Sequence, residues 1–433
     1  MKMFKTLATG AALLSIASMA NAGTIFHITG STAFRAATIT AIQFEINGSA
    51  TITPTAADNA TATSANNLLW TGSNGTLGNY TIKASFNGSG AGTQLVAGAL
   101  AIPFLDGTNT GWPTTIAGTP TTANTTDIVV PDVAMSDAFQ TTTGFLGNVP
   151  TDLPLGTGTV PVAHTYSHLT DNQVAIVTFK PMASKTFPQG TAAGLVDDTG
   201  SFNVSSYSMT TQNFRATWSN GSTLLSLYTG NNSDENSVVW ATGRNQDSGT
   251  RLTYLSETTF GVNNFVNQYY PTYTSGTVTA VNQYSIQTIN GISTQQLGNS
   301  GESSGGTVRG YLQQPFASDL ASLGGNGYFV TVLGTSDSLS VNTSAIELPY
   351  NGTYYSNTAV EEGTYTMWGY EHMFYLPGLS NSGADTNALS FANSVKSHFT
   401  GVAESGLSHA GLPLGVMNVS RSNDGLTVTS QNY

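Results

Sequence analysis

The sequence predicts an α/β protein in which strands alternate with helices. Three segments share one pattern: an apolar or alternating strand, a loop of glycine and hydroxyl residues, and a run with apolar positions at helical spacing. Strands that alternate with helices favour helical layers packed on a parallel sheet. The three predicted strands are Thr24–Thr29, Tyr80–Phe86 and Ser237–Ala241.

The three loops that follow these strands share free amides and hydroxyl groups. They contain Gly30-Ser31-Thr32, the stretch 87–93 with Ser89, and Ser248-Gly249-Thr250. The first amides of a helix have no partner inside it, and the helix dipole favours negative charge there. In open α/β sheets, ligands sit at the carboxyl ends of the strands, where all three loops fall. The loops therefore predict a shared anion-binding site.

Arg244 opens the third loop, RNQDSGTR, and adds a forked, permanently charged donor that suits an oxyanion. Ser248 and Thr250 are good N-cap residues, and Gly249 allows a ligand to approach the backbone closely. The loop therefore predicts an anion clamp. An ordinary capped helix with a solvent-facing arginine remains the alternative.

The rest of the chain adds strands, one further helix and long polar insertions. A buried strand ends at Ser136-Asp137, and an amphipathic helix is predicted over 385–403. Little periodicity is found in 47–80, 106–125 and 140–170, which we interpret as surface insertions. The other predicted strands are Asp127–Met135, Gln173–Phe179, Gly327–Gly334 and a loop with strand over Gly363–His372.

Composition places the chain among exported proteins. Residues 1–22 resemble a secretory leader, with Lys2 and Lys5, an apolar run over Leu7–Ile16 and the cleavage pattern Ala20–Ala22. Loss of the two lysines takes the net charge from −12 to −14. So acidic a chain is a poor nucleic-acid binder, because that affinity rests on neutralising phosphates.

The sequence contains no cysteine, so neither a disulfide nor a lipid anchor at a new N-terminal cysteine is expected. No stretch after the leader approaches the ~20 apolar residues of a membrane span. We therefore expect the mature protein in the periplasm or outside the cell, without a transmembrane segment.

At this point the motifs resemble the phosphate-binding periplasmic proteins of ABC phosphate uptake systems, which have the type II periplasmic-binding-protein fold. The matching motifs occur in the order of that family and span residues 24–378. They are Ile28–Phe34 (ITGSTAF), Asn87–Leu95 (NGSGAGTQL), Val133–Phe139 (VAMSDAF), Arg244–Thr250 (R-x-x-x-S-G-T), Gly327-Tyr328 and Gly363–Tyr370. The family usually has an aspartate two residues after the arginine, where this chain has Gln246 followed by Asp247.

The resemblance implies two α/β lobes, each with a mixed sheet flanked by helices, and a ligand in the cleft between them. The first lobe would contain 23–170 and 336–433, and the second 171–335 with the two crossing strands, near Gln173–Phe179 and Gly327–Gly334. The ligand would be inorganic phosphate or a similar oxyanion, delivered to an ABC transporter permease, without catalysis, cofactor or metal. The implied ligand-binding residues are Ser31, Thr32, Phe34, Ser89, Asp137, Arg244, Ser248, Gly249 and Thr250.

Asp137 has a particular role in this interpretation. Phosphate near neutral pH carries a proton that a carboxylate accepts, whereas sulfate has none to donate. A buried polar group left unpaired costs ~1–3 kcal/mol, so one aspartate is able to discriminate between these anions. A solvated residue at a strand end is the alternative for Asp137.

Three other interpretations remain open. Gly301–Gly305 matches the hydrolase pattern G-x-S-x-G but lacks a preceding apolar strand. His164 and His168 have helical spacing but lie in a Pro/Thr-rich loop, so a metal site there is not expected. The long polar insertions also suit an extracellular structural protein that keeps the fold with little ligand affinity.

Overall fold

Helices flank a large mixed β-sheet, which confirms the predicted α/β class. The computed structural model describes residues 23–47, 56–57, 62–106, 127–142, 169–197, 200, 203–285, 297–316, 326–339, 344–382 and 386–431. The predicted leader, the pair His164 and His168, and most of the insertions 106–125 and 140–170 lie outside these ranges.

The strands and helices follow the predicted alternation in much of the chain. The strands are β1 (Thr24–Gly30), β2 (Ala56–Ala57), β3 (Asn67–Asn74), β4 (Gly78–Ser85), β5 (Ile102–Phe104), β6 (Asp127–Val129), β7 (Val133–Ser136), β8 (Thr170–Ser184), β9 (Asn203–Val204), β10 (Ser222–Leu224), β11 (Val238–Ala241), β12 (Tyr269–Thr274), β13 (Thr277–Gln283), β14 (Gly327–Gly334), β15 (Ala345–Glu347), β16 (Trp368–Tyr375), β17 (Gly411–Leu412), β18 (Val419–Ser420) and β19 (Thr429–Ser430). The helices are α1 (Arg35–Asn47), α2 (Ser89–Ala97), α3 (Thr211–Asn220), α4 (Ser226–Thr229), α5 (Gly249–Glu257), α6 (Gly305–Leu312), α7 (Thr335–Leu339), α8 (Asn357–Glu361) and α9 (Ala388–Gly401).

The main sheet runs in the order β10-β11-β14-β8-β16-β7-β1-β4-β3-β2. β1 is parallel to β4 and β7, and β11 is parallel to β14. β8 and β16 are antiparallel to their neighbours in this path. The carboxyl ends of β1, β4 and β7 therefore lie at one edge, as do those of β11 and β14, so the loops that follow them are brought to shared edges.

β8 joins two groups of strands. Its residues Thr170–Thr178 pair with β16, whereas Phe179–Ala183 pair with β14. At about 3.3 Å per residue its 15 residues extend roughly 50 Å, enough to serve both groups. β14, which we expected as the second crossing segment, pairs with β11 and β8. The boundaries of the two predicted lobes stay a prediction.

Two large aromatic cores lie on this sheet. One contains β1, α1 and α9, where Phe391 meets Phe26 edge to face at 5.0 Å. The other contains α3 and α5, where Phe214 stacks on Trp218 at 4.0 Å. Burial of such rings is the main favourable contribution to folding, since each removes a large apolar area from water. These cores fix the positions of the helices that end at the candidate site.

A buried ionic cluster stabilises β8 beyond its crossing point. The ammonium group of Lys180, which is 1% exposed, lies 2.8 Å from a carboxylate oxygen of Glu347 on β15 and 3.3 Å from one of Asp197. It also lies 4.4 Å from the ring centre of Tyr355. Removal of one partner of a buried pair leaves the others without compensation, which is strongly destabilising.

We therefore expect Lys180→Met to lower the free energy of unfolding by about 3–5 kcal/mol. Lys185→Met is the matched control, because Lys185 is exposed just after β8, and it should change stability by less than about 0.5 kcal/mol. Urea unfolding followed by circular dichroism measures both variants. Equal stability of the two variants would show that the cluster contributes nothing.

Candidate anion-binding site

The predicted clamp forms the N-terminus of α5. Ser248 is its N-cap, with an extended backbone, and its hydroxyl oxygen accepts a hydrogen bond from the Arg251 amide at 3.4 Å. The helix begins at Gly249, three residues earlier than the apolar pattern predicts, because this cap satisfies an amide of its first turn. The clamp sequence therefore directs helix amides towards the loops after β1, β4 and β7.

Gly249 is packed directly against two of the other predicted site residues. A Cβ atom there would lie 2.3 Å from the hydroxyl oxygen of Ser89 and 2.6 Å from a carboxylate oxygen of Asp137. The N-terminal segments of α2 and α5 also meet through their backbones, since the Gly90 amide donates to the Asp247 carbonyl at 2.9 Å. The second and third loops are therefore in contact.

Asp137 is 1% exposed and lies at the centre of this contact. Ser31 donates its hydroxyl to the carboxylate of Asp137, and the Asp137 amide donates to the Ser89 hydroxyl at 3.2 Å. Burial raises the pKa of Asp137 above its ordinary value, although contacts with Glu371, Ser31, Arg244 and Ser89 oppose that shift. The solvated strand-end interpretation of Asp137 is therefore wrong.

Arg244 is also 1% exposed, so the alternative of a solvent-facing arginine is wrong. Its Nε donates to the Glu302 carbonyl at 3.1 Å, and its Nη2 donates to the Ser303 carbonyl at 2.9 Å and to the Thr32 hydroxyl at 2.8 Å. Burial lowers the pKa of Arg244, while the charges of Asp337 and Asp137 oppose the shift. The contact with Thr32 connects the third loop to the first.

Arg251 places a second guanidinium group in the first turn of α5, and it is 2% exposed. It donates to the Asn299 carbonyl at 2.7 Å, to the Asn299 side-chain oxygen at 2.6 Å and to the Arg244 carbonyl at 3.3 Å. Within the described ranges, neither Arg244 nor Arg251 forms an ion pair with a carboxylate. Two buried positive charges thus share a region in which their direct partners are uncharged oxygens.

The remaining predicted residues differ in whether their hydrogen-bond donors already have a partner. The Phe34 amide already donates to the Ser31 hydroxyl at 2.9 Å. The hydroxyl of Thr250 is buried and has no hydrogen-bond partner among the described residues. Thr32 is half-buried and also lines a cavity of about 240 Å³ that contains Arg35, Arg309 and Asp337. The structure thus connects the first, second and third loops, and leaves Thr250 as an unused donor.

The structure adds residues that the sequence did not assign to the site. Glu302 and Ser303 belong to the G-x-S-x-G pattern, and their backbone carbonyls position Arg244. The Ser303 side chain is exposed. Arg251 belongs to the predicted clamp, but its guanidinium group donates to Asn299, which is 48 residues distant in sequence. Glu371 contacts Asp137 across the sheet.

The described part of the chain contains no group of three or more histidine, cysteine or acidic residues that suits a metal ion. Its helices also include none that is long and apolar enough to cross a bilayer. His372 is 0% exposed and lies 2.7 Å from a carboxylate oxygen of Asp171. The described site chemistry is therefore that of guanidinium, hydroxyl, amide and carboxyl groups.

The contact of Gly249 with Ser89 and Asp137 predicts that Gly249→Ala separates α5 from α2. Because the added methyl group would overlap both side chains, we expect a loss of about 1–3 kcal/mol in the free energy of unfolding. Gly310→Ala in α6 is the control: no atom lies within 4 Å of its new Cβ, so helix propensity should stabilise it by about 0.5–1 kcal/mol. Thermal unfolding of both variants measures the difference, and an unchanged Gly249→Ala protein would contradict the packing.

Comparison with known proteins gives structural similarity at low identity. The chain is similar to a phosphate ABC transporter substrate-binding protein from Clostridium perfringens, solved with phosphate, at 10% identity and a TM-score of 0.43 over 86% of this chain and 92% of that chain. It is also similar to an ABC-type phosphate transport receptor from Vibrio cholerae, at 10% identity and a TM-score of 0.42 over 90% and 99% of the two chains. No family model and no curated protein matches the sequence. These neighbours are of the kind that the motifs resemble.

Proposed function

We propose that this protein is an exported solute-binding protein that captures inorganic phosphate, or a similar tetrahedral oxyanion, between the first, second and third loops. The observation that carries the proposal is the burial of Arg244 and Arg251, neither of which has a carboxylate partner among the described residues. A buried charge without a counter-charge is costly. An anion bound beside these residues supplies that counter-charge.

The donors at the site suit a ligand with several acceptor oxygens. Thr250 has a buried hydroxyl with no partner among the described residues, and the first amides of α5 have no carbonyl partner inside the helix. The dipole of α5 adds partial positive charge at the same point. Asp137 contributes the acceptor, so the set combines many donors with one carboxylate. That combination favours an oxyanion that still carries a proton, as phosphate does.

The remaining parts of the proposal follow from the motif order. Residues 23–170 and 336–433 form one lobe and 171–335 the other, which the change of partners along β8 supports. The leader at 1–22 directs the chain to the periplasm or the cell exterior. An ABC transporter permease receives the ligand there.

A second candidate function is a structural protein that keeps the fold with little ligand affinity. It is favoured by the engagement of Arg244, since two of its nitrogens already donate to three acceptors, and by the packing of Gly249 on Asp137. Binding of radiolabelled phosphate to the mature protein separates the two functions, because only a solute-binding protein binds it.

We expect Arg244→Lys to lower phosphate affinity by roughly 10- to 100-fold. Lysine keeps the positive charge but loses the planar fork, and a hydrogen bond to a charged group contributes about 1.5–3 kcal/mol. Isothermal titration calorimetry measures the change, and Arg215→Lys on the exposed face of α3 is the control. Wild-type affinity in Arg244→Lys, with the fold intact, would contradict the role of Arg244.

Asp137→Asn should admit sulfate as a competitor, because the asparagine amide donates a hydrogen bond that a carboxylate lacks. The variant should lower phosphate affinity less than Arg244→Lys does. Burial raises the pKa of Asp137, so acidification neutralises it sooner than an exposed aspartate. Sulfate rejection by the wild type should therefore weaken as the pH falls, whereas the variant should show no such dependence. Calorimetry with both anions tests this, and equal sulfate rejection by the two proteins would assign selectivity elsewhere.

A further inference from the structure

Glu371 faces Asp137 across two antiparallel strands. β16 pairs with β7 so that His372 lies opposite Ser136, and this register places Glu371 opposite Asp137, the residue after β7. Residues opposite each other in such a pair point to the same face, with Cβ atoms about 4.5–5.5 Å apart. The strands approach closely here, since a Cβ atom on Gly369 would lie 2.9 Å from the Asp137 carbonyl oxygen. Two carboxyl groups therefore share one side of the sheet.

Both members of the pair are buried. Glu371 is 0% exposed and Asp137 is 1% exposed. Neither carboxyl oxygen of Glu371 receives a hydrogen bond from a donor among the described residues. Two ionised carboxylates in contact are both acceptors, so no hydrogen bond forms between them. A proton on Glu371 changes this, because its hydroxyl then donates to Asp137.

The described elements that surround Glu371 bring no positive charge to it. On β8 its paired residue is Ala175, and α2, which packs on β16, has no charged residue in its sequence. On β16 itself, His372 pairs with Asp171 instead. Arg244 acts electrostatically on Asp137 but is not among the groups that act on Glu371. Burial raises the pKa of Glu371 well above its ordinary value, and the adjacent Asp137 raises it further.

From this geometry we infer that Glu371 is a positioning residue of the anion site: a buried carboxylic acid that keeps its proton, donates a hydrogen bond to the Asp137 carboxylate, and holds the pair at a single negative charge. The inference deepens the proposed function and rests on it for the identity of the ligand. Ser31 also donates to Asp137. The aspartate is thus oriented by two donors, and one of its oxygens lies beside Gly249 at the start of α5, where the ligand hydroxyl binds.

The single charge has a consequence for the class of ligand. If both carboxyl groups were ionised, two negative charges would repel any anion bound beside Gly249. With one proton retained, the site accepts a hydrogen-bearing oxyanion until alkaline pH removes that proton. The affinity for phosphate should therefore fall in the alkaline range, where phosphate is already a dianion and its own charge no longer changes.

The test compares Glu371→Gln with Glu371→Met, using Glu362→Gln on the exposed end of α8 as the control. Glutamine keeps a donor towards Asp137 and has no proton to lose. We expect Glu371→Gln to lose the alkaline decline, whereas Glu362→Gln should keep both the neutral-pH affinity and the alkaline decline of the wild type. Methionine has no donor, so Glu371→Met should bind about tenfold more weakly. Calorimetry across this pH range measures both, and an alkaline decline that persists in Glu371→Gln would overturn the inference.

A second measurement does not depend on ligand binding. Infrared spectroscopy of the unliganded wild-type protein at neutral pH should show a protonated carboxyl band that Glu371→Gln lacks and that Glu362→Gln retains. Absence of that difference would overturn the role of Glu371 while leaving phosphate binding intact. If the band is present but the protein binds no phosphate, the proposed function is refuted. The inference that Glu371 is protonated would then still hold.

Discussion

The burial of the Arg244 guanidinium group is the constraint on which the candidate site depends. Its donors reach Thr32 in the first loop and the carbonyls of Glu302 and Ser303, so a single side chain connects segments that are 212 and 58 residues distant from it in sequence. Arg251 holds the adjacent backbone by donating to the Arg244 carbonyl. These hydrogen bonds satisfy donors of the Arg244 guanidinium group, but all of their acceptors are uncharged. The positive charge therefore has no carboxylate in direct contact among the described residues. The anion site that we propose would supply a counter-charge.

The same region contains buried carboxyl groups, whose negative charge opposes the positive charge of the two arginines. Asp137 and Glu371 lie together on the sheet side, and α5 presents its positive end from the other. Asp337 also acts on Arg244, and Asp247 on Arg251, so the two guanidinium charges already have acids near them. If Glu371 keeps its proton, the Asp137–Glu371 pair adds one negative charge to this region instead of two, which favours an anion there although the protein as a whole has a net charge of −12. Long-range attraction contributes little to binding in such a protein, so recognition depends on short-range contacts.

Much of the fold and part of the site could be predicted from the sequence because both depend on local patterns. Alternating residues identified β1 and β4, glycine boundaries identified β14, and the Ser-Gly-Thr clamp identified the N-terminus of α5. The sequence predicted a crossing segment near Gln173–Phe179, but not that β8 extends to Ser184 or that its partners change at Phe179, because a long apolar run does not reveal where its partners change.

The partners of the site residues were harder to predict than the residues themselves. Glu371 meets Asp137 only through the register of β16 on β7, and this register depends on pairing between strands more than 230 residues apart. The role of Glu302 and Ser303 lies in their backbone carbonyls, which leave no signature in side-chain identity. Their match to a hydrolase pattern therefore pointed to a different chemistry from the one that the structure supports.

Crystals of the mature protein grown with arsenate would test the central claim most directly, because arsenic is a tetrahedral phosphate analogue that anomalous scattering locates. The account predicts one strong arsenic peak within hydrogen-bond distance of Arg244, the Thr250 hydroxyl and the first amides of α5, with one oxygen on Asp137. A well-ordered map without a peak there, from crystals soaked in excess arsenate, would contradict it.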